Sequence, residues 1–179
     1  PFNTEDAGVM DKGRCEVEVS SEDLRWPYDS EAPLPNQRSH SAQLGCGLMW
    51  KSELALAWQH ATAADETTRA LVLSGKTQFI DGGEARPSVA VAYFIGRDRV
   101  SKEPWHAGAR GATVVASVPQ GDWWVHAHLG VIAERAPHRN LTQWALAFER
   151  MGVAQNIDAG FEFFGDDHHH QWAQLGARW

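Results

Sequence analysis

Two histidines in the middle of the chain have the spacing and the neighbours that chemistry could use. His126 and His128 lie two residues apart, so that on a β-strand both imidazoles project from one face. With Glu134, Asp158 or Glu162 nearby, they could bind a metal ion or transfer protons. Two histidines without an identified third ligand do not make a metal site. A buried network of hydrogen bonds and ion pairs is therefore the favoured interpretation.

A second group of histidines follows two aspartates near the end of the chain, in the run Asp166-Asp167-His168-His169-His170. Imidazole nitrogens there could hold zinc, copper or nickel. Consecutive side chains on an extended chain diverge, so one ion cannot easily use His168, His169 and His170 together. We therefore expect the exposed tip of a hairpin, with only weak candidates for metal ligands and with no cofactor.

Composition limits the classes of function. The net charge of -7 and the lack of any basic block argue against a nucleic-acid partner. The length of 179 residues fits a single domain, residues 1–179. No apolar run is long enough for a transmembrane helix, but transmembrane strands alternate apolar and polar residues and escape that test.

The elements that must position these residues are β-strands, because the apolar residues recur with a period of two. No stretch has a convincing helical period. Alternation is clear at 44–50, 54–58, 89–95, 123–133, 144–148, 157–163 and 173–179, and weaker at 13–26, 68–80 and 111–118. The sequence therefore predicts an all-β fold of about ten antiparallel strands joined as an up-and-down meander.

The polar face of these strands has the composition of a narrow interior. It is rich in glycine and alanine, for example Gly45, Gly47, Ala55 and Ala90. A solvated face would instead carry long charged side chains at most positions. The ionisable residues between them are predicted to line the lumen of a barrel: Glu53, Lys76, His126, His128, Glu134, Glu149, Asp158, Glu162 and Arg178.

The tryptophans lie near strand ends, as aromatic girdles do at the two faces of a bilayer. Trp50, Trp123 and Trp179 fall at the end with mostly short turns, and Trp26, Trp58 and Trp172 fall near the end with mostly longer loops. The predicted fold is thus an antiparallel up-and-down transmembrane β-barrel of about ten strands. A soluble β-barrel or sandwich is the alternative.

Two further features concern the ends of the predicted sheet. A barrel has no free edge, so we expect the last strand to pair with the first. Cys15 and Cys46 share the apolar parity of the first two strands, and a hairpin centred near residues 29–32 would bring them almost opposite each other. A cross-strand disulfide and two lipid-facing thiols both remain open.

Both termini resemble one family. The residues Pro1, Thr4, Glu5, Asp6, Ala7, Gly8, Gly13 and Glu16 at the start, and Phe164, Gly165, Gln174, Gly176, Arg178 and Trp179 at the end, carry the likeness. They resemble the MetA-pathway-of-phenol-degradation family of transporter-like outer-membrane β-barrel proteins. The resemblance implies export with removal of a signal peptide, a Gram-negative outer membrane, and uptake or efflux of small hydrophobic molecules. Residues 1–12 are then expected to form a periplasmic N-terminal segment.

Several functions follow from these expectations. The first is a narrow, porin-like channel for small molecules in the outer membrane, with the lipid bilayer as its main partner. The second is a structural barrel that anchors or surrounds a partner complex, and the third is a soluble lipocalin-like binder. An enzyme is not expected, because an outer-membrane lipid hydrolase would need Ser117 and His126 to face lipid, and no serine lies in a recognisable nucleophile motif.

Overall fold

The computed structural model describes residues 6–24, 36–64, 66–83, 86–134, 140–155, 157–168 and 170–178, apart from the side chains of Leu24 and Arg178. Its ten strands are β1 (Cys15–Leu24), β2 (Gln37–Gly47), β3 (Ser52–Ala63), β4 (Glu66–Ile80), β5 (Ser88–Val100), β6 (His106–Gln120), β7 (Trp123–Ala133), β8 (Asn140–Ala154), β9 (Ile157–Asp166) and β10 (Gln171–Arg178). In the described part of the chain, no helix is long and apolar enough to cross a membrane.

The strands form one antiparallel sheet in the order β1-β2-β3-β4-β5-β6-β7-β8-β9-β10. The predicted all-β meander and its strand number are therefore confirmed. The weaker runs at 13–26, 68–80 and 111–118 correspond to β1, β4 and β6. The longest strands, β4, β6 and β8, each have 15 residues.

The predicted closure of the sheet into a barrel is not found. Within the described residues, β1 pairs with β2 and β10 pairs with β9, and no ladder joins β1 to β10. The sheet therefore has two edges. A period of two determines which face a side chain occupies, but it contains no information on whether the terminal strands meet.

The sheet has an outer face and an inner face of opposite character. On β3, Leu56 and Trp58 are 54% and 43% exposed, whereas Ala57 between them is buried. On β7, Leu129 and Val131 are exposed, whereas His126 is 6% exposed. The large apolar side chains thus cover the outer face, and small or polar side chains are buried on the inner face.

A segment before β1 lies on the inner face and gives it a small core. Ala7 is completely buried and packs with Ala90 and Val115, of β5 and β6, with Ala92 against them. Backbone hydrogen bonds between Gly13 N and Gly47 O, and between Gly47 N and Arg14 O, attach the end of this segment to β2. We call residues 6–14 the inner segment.

The connections divide between two ends of the sheet. At the end where β1 begins, the strands are joined through 48–51, 81–87, 121–122 and 155–156; at the other end they are joined through 25–36, 64–65, 101–105, 134–139 and 167–170. We call these the short-turn end and the long-loop end. The asymmetry is incomplete, because 64–65 is short and 81–87 is long.

Candidate functional site: the inner-face polar cluster

The inner segment is held by an ion pair between adjacent strands. Glu53 of β3 and Lys76 of β4 are direct cross-strand partners, and Nζ of Lys76 lies 3.5 Å from Oε1 of Glu53. Lys76 Nζ also donates to the carbonyl oxygen of Asp6 at 3.3 Å, and the Met10 backbone N–H donates to Oε2 of Glu53 at 2.9 Å. Since Lys76 is only 9% exposed, these contacts compensate the desolvation of a buried ammonium group.

A second anchor lies on β6 and β7. The Ala7 backbone N–H donates to Oγ of Ser117 at 2.8 Å, and Ser117 Oγ lies 2.8 Å from Nδ1 of His126. Ser117 Oγ thus accepts from the Ala7 N–H and shares a second hydrogen bond with Nδ1 of His126, in which the donor depends on the imidazole tautomer.

The third member of this chain of contacts is a carboxylate on β8. Nε2 of His126 lies 3.7 Å from Oε2 of Glu149, and the two side chains are 8% and 16% exposed. The order Ser117, His126, Glu149 resembles the residue types of a hydrolytic triad. However, Ser117 is 3% exposed and lies beneath the inner segment, so the hydroxyl is occupied in holding backbone rather than open to a substrate.

An aromatic ring completes this cluster. Trp124 lies on the inner face beside His126, with ring centroids 6.1 Å apart and an angle of 8° between the planes. The stacked indole shields the imidazole from solvent. Among the described residues, Nε2 of the neighbouring His128 is buried without a hydrogen-bond partner. His126 and His128 thus share a face, as predicted, but no group of three metal-ligating side chains forms around them in the part of the chain that the structure describes.

The other residues predicted to line the lumen are distributed along the inner face. Glu162 of β9 is completely buried, whereas Glu134 and Asp158 are partly exposed near strand ends. Asp158 accepts a hydrogen bond from Gly152 N at 2.8 Å and so fixes the β8–β9 turn. Arg178 pairs through its backbone with Asp158, and its side chain lies outside the described part.

Cys15 and Cys46 are joined in a disulfide, and they are direct cross-strand partners of β1 and β2. The bond lies on the outer-face parity of both strands, beside Val17 and Leu44. It covalently fixes the register of the first hairpin next to the point where the inner segment meets Gly47.

The tryptophans predicted for the girdles are exposed wherever the structure describes them: Trp50, Trp58, Trp123 and Trp172. Trp58 lies near the middle of β3, but it is the last apolar residue of the outer face before His60 and Thr62. Trp144 is a further exposed tryptophan that the girdle prediction omitted. Trp26 and Trp179 lie outside the described residues.

The acidic and histidine-rich run forms the β9–β10 tip. Oδ1 of Asp166 accepts from the backbone N–H groups of His168 and His170, and its Oδ2 lies 2.9 Å from Nδ1 of His170. Partial desolvation opposes ionisation of Asp166, but these hydrogen bonds outweigh it and lower the pKa of the carboxyl below its usual value. His169 lies outside the described residues, and within them no group of three or more metal-ligating side chains converges.

A cavity of about 450 Å³ remains between the inner segment and the first strands. Its lining includes the carboxylates of Glu16, Glu18 and Glu53 and the amide of Gln43. Glu16 and Glu18 are exposed because no strand covers β1 on its free side. The cavity is therefore polar and mostly acidic.

Sequence reasoning missed the inner segment, although a signal for it was present. Gly45 and Gly47 were interpreted as residues of a narrow lumen, whereas the space above them is filled by backbone. A Cβ at Gly47 would overlap the backbone oxygens of Met10 and Asp11. Small inward-facing residues such as Gly47 thus leave room for the backbone of the inner segment.

Comparison of the sequence and fold with protein-family models, curated proteins and solved structures gave no match.

Proposed function

We propose that this chain is a membrane-embedded β-sheet protein whose outer face contacts lipid and whose inner face is occluded by its own N-terminal residues. The observation that carries the proposal is the inverted distribution of side chains. Leu56, Leu129, Val131 and Leu175 are exposed on the outer face, while Lys76, His126 and Glu162 are buried on the inner face. A continuous exposed apolar surface of this kind requires an apolar environment.

We propose that the membrane is a bacterial outer membrane, reached by export through a cleaved signal peptide, as the resemblance of the termini implies. The width of the exposed apolar zone supports a bilayer. Tilted strands of roughly 9–11 residues are what a bilayer requires. The zone has this width on β7, where it runs from Trp123 to Val131, whereas on β3 it is shorter and runs from Leu54 to Trp58.

The occupied interior favours a structural wall or anchor over a freely open pore. Ala7 fills the space between β5 and β6, and the contacts of Glu53, Lys76 and Ser117 hold the inner segment in place. These contacts come from β3, β4 and β6, so the inner segment covers the inner face in the middle of the sheet. A partner complex would then be held by the loops or by the free edges.

A narrow conduit is the second candidate function, and the acidic cavity beside β1 favours it. Glu16 and Glu18 would select small cations or polar solutes there. The uptake of small hydrophobic molecules that the resemblance implies receives no support from this polar lining. A lipocalin-like binder receives none either, since such a protein presents its apolar face inward.

Embedding in lipid also requires the edges of β1 and β10 to be satisfied, because unpaired backbone groups are costly in hydrocarbon. We propose that they pair with each other or with strands of another polypeptide. Amide hydrogen exchange in a lipid bilayer tests this: both edge strands should be as protected as β5. Rapid exchange of β1 and β10 amides would refute the pairing.

Two measurements on the detergent-purified chain test the function. We expect migration on a gel to change with heating, as for a folded membrane barrel, and we expect no steady conductance in a planar bilayer. A folded, inserted chain that passes cations would support the conduit instead of the occluded wall. A chain that stays folded and monodisperse without detergent would overturn both.

A further inference from the structure

The outer face carries a row of cationic and imidazole side chains at the long-loop end, directly beyond the apolar zone. His40 of β2 pairs with His60 of β3, His60 pairs with Arg69 of β4, and Arg69 pairs with Arg99 of β5. All four share the parity of exposed apolar residues on their strands, such as Leu44, Leu56 and Leu71. We call them the basic row.

The next row of outer-face residues toward the short-turn end consists mainly of apolar residues and marks the boundary of the apolar zone. It contains Val19, Ala42, Trp58 and Leu71 in direct register, and it ends at Arg97. The His60 ring stacks on Trp58 with centroids 5.8 Å apart. The basic row therefore lies at the level where a bilayer changes from hydrocarbon to headgroups.

Cations placed directly opposite one another across strands repel and destabilise a sheet. Arg69 and Arg99 form no ion pair with any residue that the structure describes, and the buried Nε of Arg99 has no hydrogen-bond partner there. The Arg99 guanidinium lies over the Trp105 ring at 5.2 Å, which fixes its position at this boundary. This arrangement needs a counter-anion.

The other end of the sheet is different. Arg150, on the outer face near the short-turn end, lies 3.7 Å from Oδ2 of Asp122, and Lys51 forms an ion pair with Asp81. Ion pairs occur at the long-loop end too, where Arg38 lies 3.5 Å from Asp23, but Arg69 and Arg99 lie side by side without a carboxylate partner among the described residues. The clustering is also unexpected in a chain whose net charge is -7.

We propose that the basic row is a binding site for the phosphate group of an anionic lipid headgroup, in the leaflet that surrounds the long-loop end. Guanidinium groups bind phosphate through paired N–H donors. The stacked Trp58 and His60 would lie beneath the headgroup, and the acyl chains would pack on the adjacent apolar face. This inference rests on the proposed embedding in a bilayer.

Spin-labelled lipids test it in vesicles of phosphatidylcholine that contain the full chain. We expect the association constant of spin-labelled phosphatidic acid for the protein surface to be several-fold higher than that of spin-labelled phosphatidylcholine. The double variant Arg69→Gln/Arg99→Gln should abolish this preference, because it removes both guanidinium contacts to the phosphate. Arg150→Gln, a matched change at the opposite end of the outer face, should leave the preference unchanged.

The results of this experiment distinguish failure of the lipid site from failure of the proposed embedding in a bilayer. Immobilised lipid without preference for phosphatidic acid would overturn the lipid site and leave the embedding intact. The absence of any immobilised lipid would overturn both. An equal loss of preference in Arg150→Gln would show a diffuse charge effect and reject the site. Displacement of the lipid by millimolar inorganic phosphate would show that free phosphate is the ligand and would also reject it.

Discussion

Oγ of Ser117 lies between two partners, 2.8 Å from the backbone nitrogen of Ala7 and 2.8 Å from Nδ1 of His126. The hydrogen bond from Ala7 to Ser117 joins residues 110 positions apart in the chain. It connects the inner segment to the middle of the sheet through two buried hydrogen bonds that end at His126, whose Nε2 lies 3.7 Å from Oε2 of Glu149.

Ser117→Ala should therefore detach Ala7 from the inner face. It leaves the Ala7 N–H and the His126 Nδ1 without their partner, which costs about 1–3 kcal/mol for each buried group. We expect a lower free energy of unfolding and faster amide exchange at Ala7. Ser74→Ala is the matched control, because Ser74 shares the inner face and its hydroxyl makes no hydrogen bond with a described residue. Equal effects of the two changes would contradict the role of Ser117.

Gly47→Ala should displace the inner segment more completely. The new methyl group would overlap the backbone of Met10 and Asp11, and backbone cannot move aside without breaking the bonds from Gly47 to Gly13 and Arg14. Limited proteolysis should then cleave within residues 6–14.

Gly45→Ala is the control for that change, on the same strand and the same face. Its methyl group would crowd the terminal methyl of Met10, at 3.0 Å, and would meet Ala55 and Leu54 only at ordinary contact distances, and the flexible Met10 side chain can move. Resistance of both variants to proteolysis would show that the segment does not depend on close approach to β2.

Replacing Cys15 and Cys46 together by Ser should destabilise the first hairpin. The disulfide closes a loop with a sequence separation of 31, for which chain entropy gives about 3–4 kcal/mol. Denaturant unfolding in detergent should show a loss of this order. Reduction of the unaltered chain should lower its free energy of unfolding by the same amount. If reduction also lowers the free energy of unfolding of the Ser variant, the reductant acts on something other than this disulfide.

The β9–β10 tip should weaken in acid. The folded-state pKa of Asp166 is lowered, so its ionised form stabilises the tip above the unfolded value of 3.8, and this stabilisation is lost as the pH falls through the folded pKa. Nuclear magnetic resonance titration of the His168 amide should show a midpoint below 3.8. In His170→Gln the midpoint should move upward, and an unchanged midpoint would rule out the contact with His170.

The period of two was sufficient to predict the strands and their faces. Leu56 and Leu129 were assigned to one face and His126 and Glu162 to the other, and the burial of these side chains follows that division. Such patterns report the local environment of each strand, which is why they are readable from a single sequence.

Long-range contacts were not predictable in this way. Nothing in the types of Ala7 and Ser117 indicates that they meet, and the free edges of β1 and β10 depend on the curvature of the whole sheet. Trp124 was not assigned to the inner face, because Trp123 beside it satisfied the girdle pattern. The inner glycines carried a signal, but a narrow lumen and a covering segment both explain small residues.

The most direct test of lipid contact is the accessibility of spin labels along β7, in a chain that retains its disulfide and is embedded in a bilayer. Single cysteine substitutions from 125 to 131 would carry the labels. We predict that labels at Val125, Ala127, Leu129 and Val131 collide mainly with oxygen dissolved in lipid, and that labels at His126 and His128 do not. Labels at Leu129 and Val131 that instead collide mainly with a water-soluble nickel chelate would contradict the account.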